Sequence, residues 1–365
     1  MSESFDVATL ALESVCPGNK FQFDDKGLPS AMVYIPKFKL SEVLTGGSDD
    51  YHPMFRINGQ IVDGIWISKY QNVVESGRGY SLPGKDPKAS ITWDTARGYC
   101  EAKGTGWHMM TRAEYAGIAL WCKQNGFFPK GNNNYGKDTT ESNYKAIPAT
   151  YGAGDDAGKI YHVLTGTGPL SWRHNNAPDG ICDLNGNVSE WTGGIRTVYG
   201  ELQLIPYNDS ANGSADQSAN SSAWRAIDAT TGEFITPDGN GTTTNSIKVN
   251  CNSNAPQYDT TVTTTSSSFN APITSITCAS TISEAAKLVL RTYGLLAEDG
   301  AVASDYGDGD RLYFNNEAAE RLFYSGGYYN NGANAGVFYS GGSNGSRSST
   351  GTGFGFRAAF ADLST

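Results

Sequence analysis

The C-terminal stretch 323–360, FYSGGYYNNGANAGVFYSGGSNGSRSSTGTGFGFRAAF, constrains the fold more than any other part of the chain. The pentapeptide Phe-Tyr-Ser-Gly-Gly occurs in it twice, fifteen residues apart. Each aromatic pair favours a pleated strand, and the two glycines that follow can adopt positive φ and turn the backbone. The repeat therefore predicts two short strands that lead into turns on one side of a sheet.

The composition of this stretch is typical of a surface. It is rich in Tyr, Asn, Ser and Gly, and Arg347 and Arg357 are the only charged residues between positions 323 and 357. Tyrosine gives binding loops a large amphipathic area with few rotors, while Ser, Gly and Asn give adaptable hydrogen bonds. Loops are also rich in Gly and Asn for conformational reasons alone. Two interpretations follow from the residue types, a binding surface and a Gly-rich β-meander without a partner.

The charge of the chain argues against one class of partner, the nucleic acids. The chain has 365 residues, a formal net charge of −10 and a pI near 4.9, and its Lys and Arg residues form no cluster. Phosphate binding needs a concentrated cationic face, so we expect no nucleic-acid partner. The N-terminal residues lack a basic region and a sustained apolar run, and no stretch has the length to cross a bilayer. We therefore expect neither a signal peptide nor membrane insertion.

Six cysteines are spread along the chain without a C-x-x-C pair. This spacing is too sparse for a disulfide scaffold or a structural zinc site, so we expect reduced and mostly buried thiols. Cys251 and Cys278 bracket a Thr/Ser-rich segment and are the one pair that we consider for a bridge.

Two central helices have clear start signals. Residues 92–104 predict a helix with Thr92 as N-cap, and residues 111–126 predict a second one with a capping box at Thr111 and Glu114. Their apolar residues recur at helical spacing, which favours packing on a sheet.

The other segments are assigned from composition and turn signals. Residues 1–30 contain a short helix, which we interpret as an edge element or an attachment to a larger assembly. Strands begin at Ala31, and Asn58-Gly59 is a hairpin signal between two of them. The Ser/Thr/Asn-rich segment 197–280 predicts an insertion with its own hairpins, and residues 282–294 predict a last helix.

Five motifs stand in a fixed order along the chain: WDTARGYCEAKG, MMTRAEYAGIA, DLNGNVSEW, SGGYY and GFGFRAAF. The ordered set resembles the formylglycine-generating-enzyme (sulfatase-modifying factor) branch of the C-type lectin fold, over about residues 30–195 and 281–360. The resemblance implies an α+β fold, with antiparallel sheets, two packed helices and a large insertion. It divides the chain into an N-terminal segment 1–30, a lectin-like domain 31–196 and 281–365, and the insertion 197–280.

The catalytic groups of that branch are missing from this sequence. Its enzymes carry cysteines shortly after the G-G-S motif, and the matching positions here fall near Asn331 and Gly336, which cannot supply a thiolate for copper. Related iron-dependent sulfur-transfer enzymes use a His-x-x-x-His-x-Glu site, and the four histidines here offer no such spacing. The resemblance therefore implies a non-catalytic member that requires no cofactor for chemistry.

The same stretch also looks very like the variable region of proteins diversified by bacteriophage and bacterial retroelements, which use a lectin-type scaffold. This resemblance implies side chains that face solvent and bind a ligand at twelve positions: Tyr324, Tyr328, Tyr329, Asn330, Asn331, Asn334, Tyr339, Ser340, Ser343, Asn344, Ser346 and Ser348. It assigns six residues to the scaffold: Gly326, Gly327, Gly336, Phe354, Phe356 and Arg357.

One turn resembles the calcium-binding turn of the family. The ligands that this implies are Asp183, the carbonyl groups of Gly186 and Val188, and Glu190. Hard oxygen ligands in a flexible turn suit Ca²⁺ better than a transition metal. A metal-free turn in which Glu190 caps backbone amides is the alternative.

Together these features predict a receptor-binding protein, first of all a phage tail adhesin located in the virion, and next a bacterial surface protein. The implied partners are a host-cell surface protein or glycan and other tail proteins. A homo-oligomer would fit as well, because multivalency strengthens weak contacts. The alternatives are a catalytic formylglycine-generating protein and a structural or carbohydrate-binding module of fixed specificity.

Overall fold

The computed structural model describes residues 3–363 and shows a mixed α+β protein, so the outermost residues 1–2 and 364–365 of the predicted segments lie outside it. The helices are α1 (Glu3–Val15), α2 (Trp93–Glu101), α3 (Arg112–Gln124) and α4 (Glu284–Thr292). The strands are β1 (Asn19–Phe23), β2 (Pro29–Pro36), β3 (Arg56–Ile57), β4 (Gln60–Ile61), β5 (Gly64–Ser68), β6 (Val73–Glu75), β7 (Arg78–Tyr80), β8 (Trp107–Met109), β9 (Pro148–Tyr151), β10 (Ile160–Val163), β11 (Ser189–Val198), β12 (Glu201–Leu204), β13 (Arg225–Ile227), β14 (Phe234–Ile235), β15 (Lys248–Asn252), β16 (Ala255–Asp259), β17 (Phe269–Pro272), β18 (Thr277–Cys278), β19 (Arg311–Phe314), β20 (Arg321–Gly326), β21 (Gly336–Gly341), β22 (Phe354–Phe356) and β23 (Ala358–Phe360).

The strands form two main sheets with mostly antiparallel pairing. A five-stranded sheet has the order β1-β2-β5-β23-β8. A twelve-stranded sheet has the central order β17-β19-β21-β20-β11-β12-β15-β16-β18, with β13, β14 and β22 attached beside it. The two Phe-Tyr-Ser-Gly-Gly repeats lie in β20 and β21, which pair antiparallel with Ser325 opposite Ser340. The strand prediction for the repeats is confirmed, but the prediction of turns on one side of the sheet is wrong, because antiparallel pairing places the glycines that end the two repeats at opposite ends of the strand pair.

The predicted start signals of the central helices are confirmed. The hydroxyl of Thr92 accepts a hydrogen bond from the Thr95 amide, and α3 begins with the capping box formed by Thr111 and Glu114. Such caps satisfy amide groups that a helix leaves unpaired at its first turn. Ten of the thirteen residues of α3 are buried, so this helix lies in the main core, against β11 and β21.

The last strands join the two sheets. β22 pairs parallel with β11 in the large sheet, whereas β23, two residues later, lies between β5 and β8 in the small one. The residue between them is Arg357, whose side chain is fully buried. The chain therefore crosses from one sheet to the other at a buried arginine.

The segment 197–280 carries the hairpins predicted for it, β13–β14 and β15–β16. Its strands also extend the large sheet, since β12 pairs with β11 and β17 pairs with β19. Leu204, Val249 and Phe269 share one core cluster with Ile67 of the small sheet. The insertion thus shares the core of the molecule, and its status as an addition to a smaller fold stays a prediction.

The pair considered for a bridge is not bridged, because Cys251 and Cys278 both carry free thiols. Cys251 lies in β15 and Cys278 in β18, and β16 separates these strands. Neighbouring strands are about 4.8 Å apart, so the two backbones lie about 10 Å apart, beyond the reach of a disulfide. None of the helices within residues 3–363 has the length and apolarity needed to cross a membrane.

Candidate ligand-binding surface

Seven of the twelve predicted binding positions lie at the surface, on two loops. Loop 327–335 joins β20 to β21, and loop 342–353 joins β21 to β22. We call the exposed and half-exposed side chains on these loops the loop face: Tyr328, Asn330, Asn331, Asn334, Asn344, Ser346 and Ser348. Asn330, Asn344 and Ser348 are the most open of them.

The solvent exposure predicted for the other five positions is wrong. The buried residues are Tyr324, Tyr329, Tyr339, Ser340 and Ser343, each less than 5% exposed. Successive side chains of a strand point to opposite faces of the sheet. Phe323 and Phe338 enter the main core on one face, while on the other Tyr324 packs against Trp191 and Phe354 and Tyr339 packs against Tyr313. Both faces of β20 and β21 are thus covered.

The buried tyrosines form an aromatic floor beneath the loops. The ring centroids of Tyr324 and Phe354 are 4.7 Å apart, and those of Tyr313 and Tyr339 are 5.3 Å apart. Burial raises the pKa of Tyr324 to about 12, so its hydroxyl keeps its proton at neutral pH. The floor supplies packing rather than solvent-facing groups for a ligand.

Main-chain hydrogen bonds hold both loops in place. In the first, the Gly332 amide donates to the Asn133 carbonyl at 2.8 Å, and the Tyr135 amide donates to the Tyr329 carbonyl at 2.6 Å. In the second, the carbonyl groups of Gly345 and Gly353 accept from amides at 2.7 Å. A backbone held in this way depends little on which side chains the loops carry.

Several side chains of the loops also have structural contacts. The Asn331 side chain accepts from the Tyr328 amide at 2.8 Å, and that of Asn334 accepts from Arg311 at 2.9 Å. Arg347 pairs with Glu320 at 2.7 Å and with Asp94 at 2.9 Å. Substitution should therefore be tolerated best at the exposed positions Asn330, Asn344 and Ser348, of which only Ser348 has a side-chain hydrogen bond, at 3.3 Å to the hydroxyl of Ser346 in the same loop.

Sequence reasoning missed tyrosines that reach the loop face from another part of the chain. Tyr161 stacks on Tyr329 with ring centroids 4.1 Å apart, and Tyr135 lies 5.9 Å from the same ring. The Tyr161 hydroxyl donates to Asp156 at 2.8 Å, and this hydrogen bond raises the pKa of Tyr161 to about 12. The Tyr/Asn/Gly composition of residues 132–136 matches that of the C-terminal stretch, and it is the signal that could have located Tyr135.

The four residues predicted as calcium ligands come together around the side chain of Gln71. The Gln71 amide nitrogen lies within hydrogen-bond distance of the carbonyl oxygens of Asp183, Gly186 and Val188 and of a Glu190 carboxylate oxygen. The Glu190 carboxylate also pairs with Arg357. Elsewhere in residues 3–363, His, Cys, Asp and Glu side chains form no group of three or more that could hold a metal ion.

The scaffold role predicted for Gly336 has a direct structural cause. A Cβ atom on Gly336 would collide with the carboxyl group of Asp310, which is buried. A cysteine therefore cannot replace this glycine unless Asp310 moves. The scaffold glycine Gly326 is limited in the same way by the Leu184 carbonyl, 2.8 Å from where its Cβ would lie.

The histidines are buried in separate places. His52, His108, His162 and His174 are each at most 5% exposed. His108 lies 2.7 Å from Glu114, and His162 lies 2.9 Å from Asp86. Each imidazole thus has its own structural partners.

Comparison with known proteins relates the scaffold to one family. The model of the sulfatase-modifying factor enzyme 1-like domain matches residues 4–245, a match that ends before the loop face. A solved structure of PvdO from Pseudomonas aeruginosa is 15% identical, covers 94% of this chain and 98% of its own, and has a TM-score of 0.31. The Major Tropism Determinant P3c variant is 10% identical, covers 94% of this chain and 71% of its own, and has a TM-score of 0.28. TM-scores of this size do not establish a shared fold. No curated protein sequence matches the chain.

Proposed function

The chain belongs to the sulfatase-modifying factor enzyme 1-like domain family, and we propose that it is a non-catalytic, C-type lectin-like member that binds a ligand through its loop face. One observation carries this proposal. Polar side chains and Tyr328 reach solvent from loops that main-chain hydrogen bonds hold in place. Such an arrangement lets side chains be chosen for binding while the scaffold keeps the fold.

The residues at the positions expected for catalytic cysteines, and the state of two thiols elsewhere, support the non-catalytic proposal. Asn331 and Gly336 stand where the family resemblance expects cysteines, and Gly336 has no space for a side chain. Burial raises the pKa of the Cys182 thiol to about 12, and that of Cys278 to about 11. A thiol with so high a pKa is a poor nucleophile at neutral pH.

The finer part of the proposal concerns the ligand and the location. We propose a phage tail adhesin, whose partners are a host-cell surface protein or glycan and other tail proteins. This part rests on the resemblance of residues 323–357 to retroelement-diversified variable regions. The tyrosines at Tyr135 and Tyr161 would enlarge the contact area, since tyrosine is enriched in surfaces that bind diverse ligands.

A cell-binding assay tests the proposal. We expect the fluorescently labelled chain to bind a subset of strains in a panel of bacteria. The triple variant Asn330→Arg, Asn344→Arg, Ser348→Arg should lose at least about tenfold in binding, which corresponds to about 1.4 kcal/mol, because three long charged side chains would block contacts on both loops. Flow cytometry measures the binding, and circular dichroism verifies the fold.

A matched triple provides the control. Asn240, Asn252 and Ser267 are the same residue types, are equally exposed, and lie in the segment 197–280. Arginine at these three positions should leave binding unchanged. The proposal fails if the loop-face triple binds as the wild type does, or if the control triple loses binding to the same extent.

A further inference from the structure

The side chain of Gln71 occupies the centre of the turn that resembles a calcium site. Its Nε2 atom donates toward the carbonyl oxygens of Val188 at 2.9 Å, Asp183 at 3.0 Å and Gly186 at 3.3 Å. The same atom lies 3.0 Å from Oε1 of Glu190. Gln71 is completely buried, so its side chain shields these oxygens from water. Four oxygen atoms from four residues thus converge on one amide nitrogen.

The orientation of the Gln71 amide is fixed by its other end. Nδ2 of Asn187 donates to Oε1 of Gln71 at 3.0 Å. Asn187 is itself held, because its Oδ1 accepts from the Val163 amide at 2.9 Å and from Nδ2 of Asn132 at 3.1 Å. A flipped Gln71 would place its oxygen among four other oxygens and its NH₂ against another NH₂ group. The hydrogen-bond network therefore selects the orientation with nitrogen at the centre.

The distances fit hydrogen bonds and not calcium ligation. Calcium binds six to eight oxygens at 2.3–2.6 Å, whereas the four contacts here span 2.9–3.3 Å. The Asp183 carboxylate, which the sequence suggested as a ligand, points elsewhere and accepts from the Gly166 amide at 2.9 Å. Only its main-chain carbonyl faces the centre. The oxygens around the centre are fewer than calcium requires, and they lie farther from the centre than calcium ligands do.

Charge leads to the same conclusion. The Glu190 carboxylate is paired through both oxygens with Arg357, at 2.8 and 2.7 Å, and both side chains are buried. The negative charge of Glu190 is therefore already balanced. A divalent cation beside this pair would add two positive charges to a buried region in which the charge of Glu190 is already balanced. A neutral NH₂ group shares its two N–H protons among the same four oxygens and adds no charge.

We propose that Gln71 takes the place of the calcium ion in this turn, so that the fold is independent of calcium. The Gln71 amide group holds the carbonyl groups of the turn together next to β11, as a bound calcium ion would. The sequence of the turn gives no sign of this role, because Gln71 lies more than one hundred residues before it.

Thermal unfolding in EDTA and in excess CaCl₂ tests the proposal. We expect the wild-type melting midpoint to be the same in both solutions. The variant Gln71→Ala leaves four oxygens around an empty centre, so its midpoint in EDTA should fall by several degrees and should recover in part on addition of CaCl₂. Addition of MgCl₂ should restore less, since Mg²⁺ demands shorter bonds and stricter geometry.

A second variant covers the case in which Gln71→Ala does not fold. Gln71→Glu keeps the size of the side chain but replaces the NH₂ group with an oxygen, and it should fold to a calcium-dependent state when produced with CaCl₂. The proposal is overturned if CaCl₂ raises or EDTA lowers the wild-type midpoint, or if isothermal titration of CaCl₂ shows a bound ion in the wild type. It is also overturned if both variants are destabilised and neither responds to calcium.

Discussion

Replacement of Arg357 by alanine should lower the free energy of unfolding by about 3–5 kcal/mol, the usual cost of breaking a buried ion pair from one side. The Arg357 guanidinium donates to Glu190 and to the carbonyl groups of Ser68 and Cys182, at 2.7 and 2.8 Å. Removal of Arg357 leaves a buried carboxylate without its counter-charge and takes a donor from each of two carbonyl groups, at the point where the chain crosses between the sheets. Urea denaturation measures the loss.

The control for this prediction is an ion pair at the surface. Asp63 pairs with Lys37 at 2.7 Å, but its side chain is 87% exposed. Asp63→Asn should leave the urea midpoint unchanged, because solvent screens such a pair. A loss below about 1 kcal/mol for Arg357→Ala would contradict the structural role assigned to the pair. Glu190→Gln should behave like Arg357→Ala, since it leaves the arginine buried without a counter-charge.

Replacement of Asp310 by asparagine should stabilise the protein at neutral pH and not at acid pH. Asp310 is buried, its Oδ2 accepts from the Phe338 amide at 2.7 Å, and its Oδ1 has no hydrogen-bond partner. Burial raises the pKa of Asp310 well above its usual range. Asparagine keeps an acceptor for the Phe338 amide and removes the charge.

The sign of the pH effect follows from the raised pKa. The folded chain holds a proton on Asp310 that the unfolded chain releases above about pH 4, so this group lowers stability as pH rises from there toward the folded pKa. Each unit of pKa difference corresponds to about 1.4 kcal/mol. Urea denaturation from pH 4 to pH 8 should show the stability of Asp310→Asn exceeding that of the wild type by an amount that grows with pH. A difference that is constant across this range would contradict the account.

The parts of the fold that the sequence predicted depend on contacts between near neighbours. Thr92, Thr111 and Glu114 cap helices within three residues of themselves. The Asn58-Gly59 turn joins β3 to β4 with positive φ at both residues, as the hairpin signal requires. Such features are decided locally, so a single sequence reveals them.

The parts that it missed depend on residues far apart in the chain. Tyr324 and Tyr339 have the residue type of a binding loop, but Tyr324 is buried against Trp191 and Phe354, and Tyr339 against Tyr313. Gln71 enters the turn that follows Asp183 although more than one hundred residues separate the two in the chain. Neither the burial of the tyrosines nor the position of Gln71 has a signal in the neighbouring sequence. Composition indicated the candidate segment, but it could not separate the loop face from the buried aromatic floor.

Saturation mutagenesis of residues 321–357 tests most directly whether the scaffold tolerates substitutions at its surface. The variant chains are displayed and sorted for resistance to protease. The account predicts that Asn330, Asn344 and Ser348 accept most residue types, while Tyr324, Tyr339 and Ser340 accept few, since removal of a buried aromatic ring costs about 3–5 kcal/mol. Equal tolerance at the two sets of positions, or greater tolerance at the buried set, would contradict it.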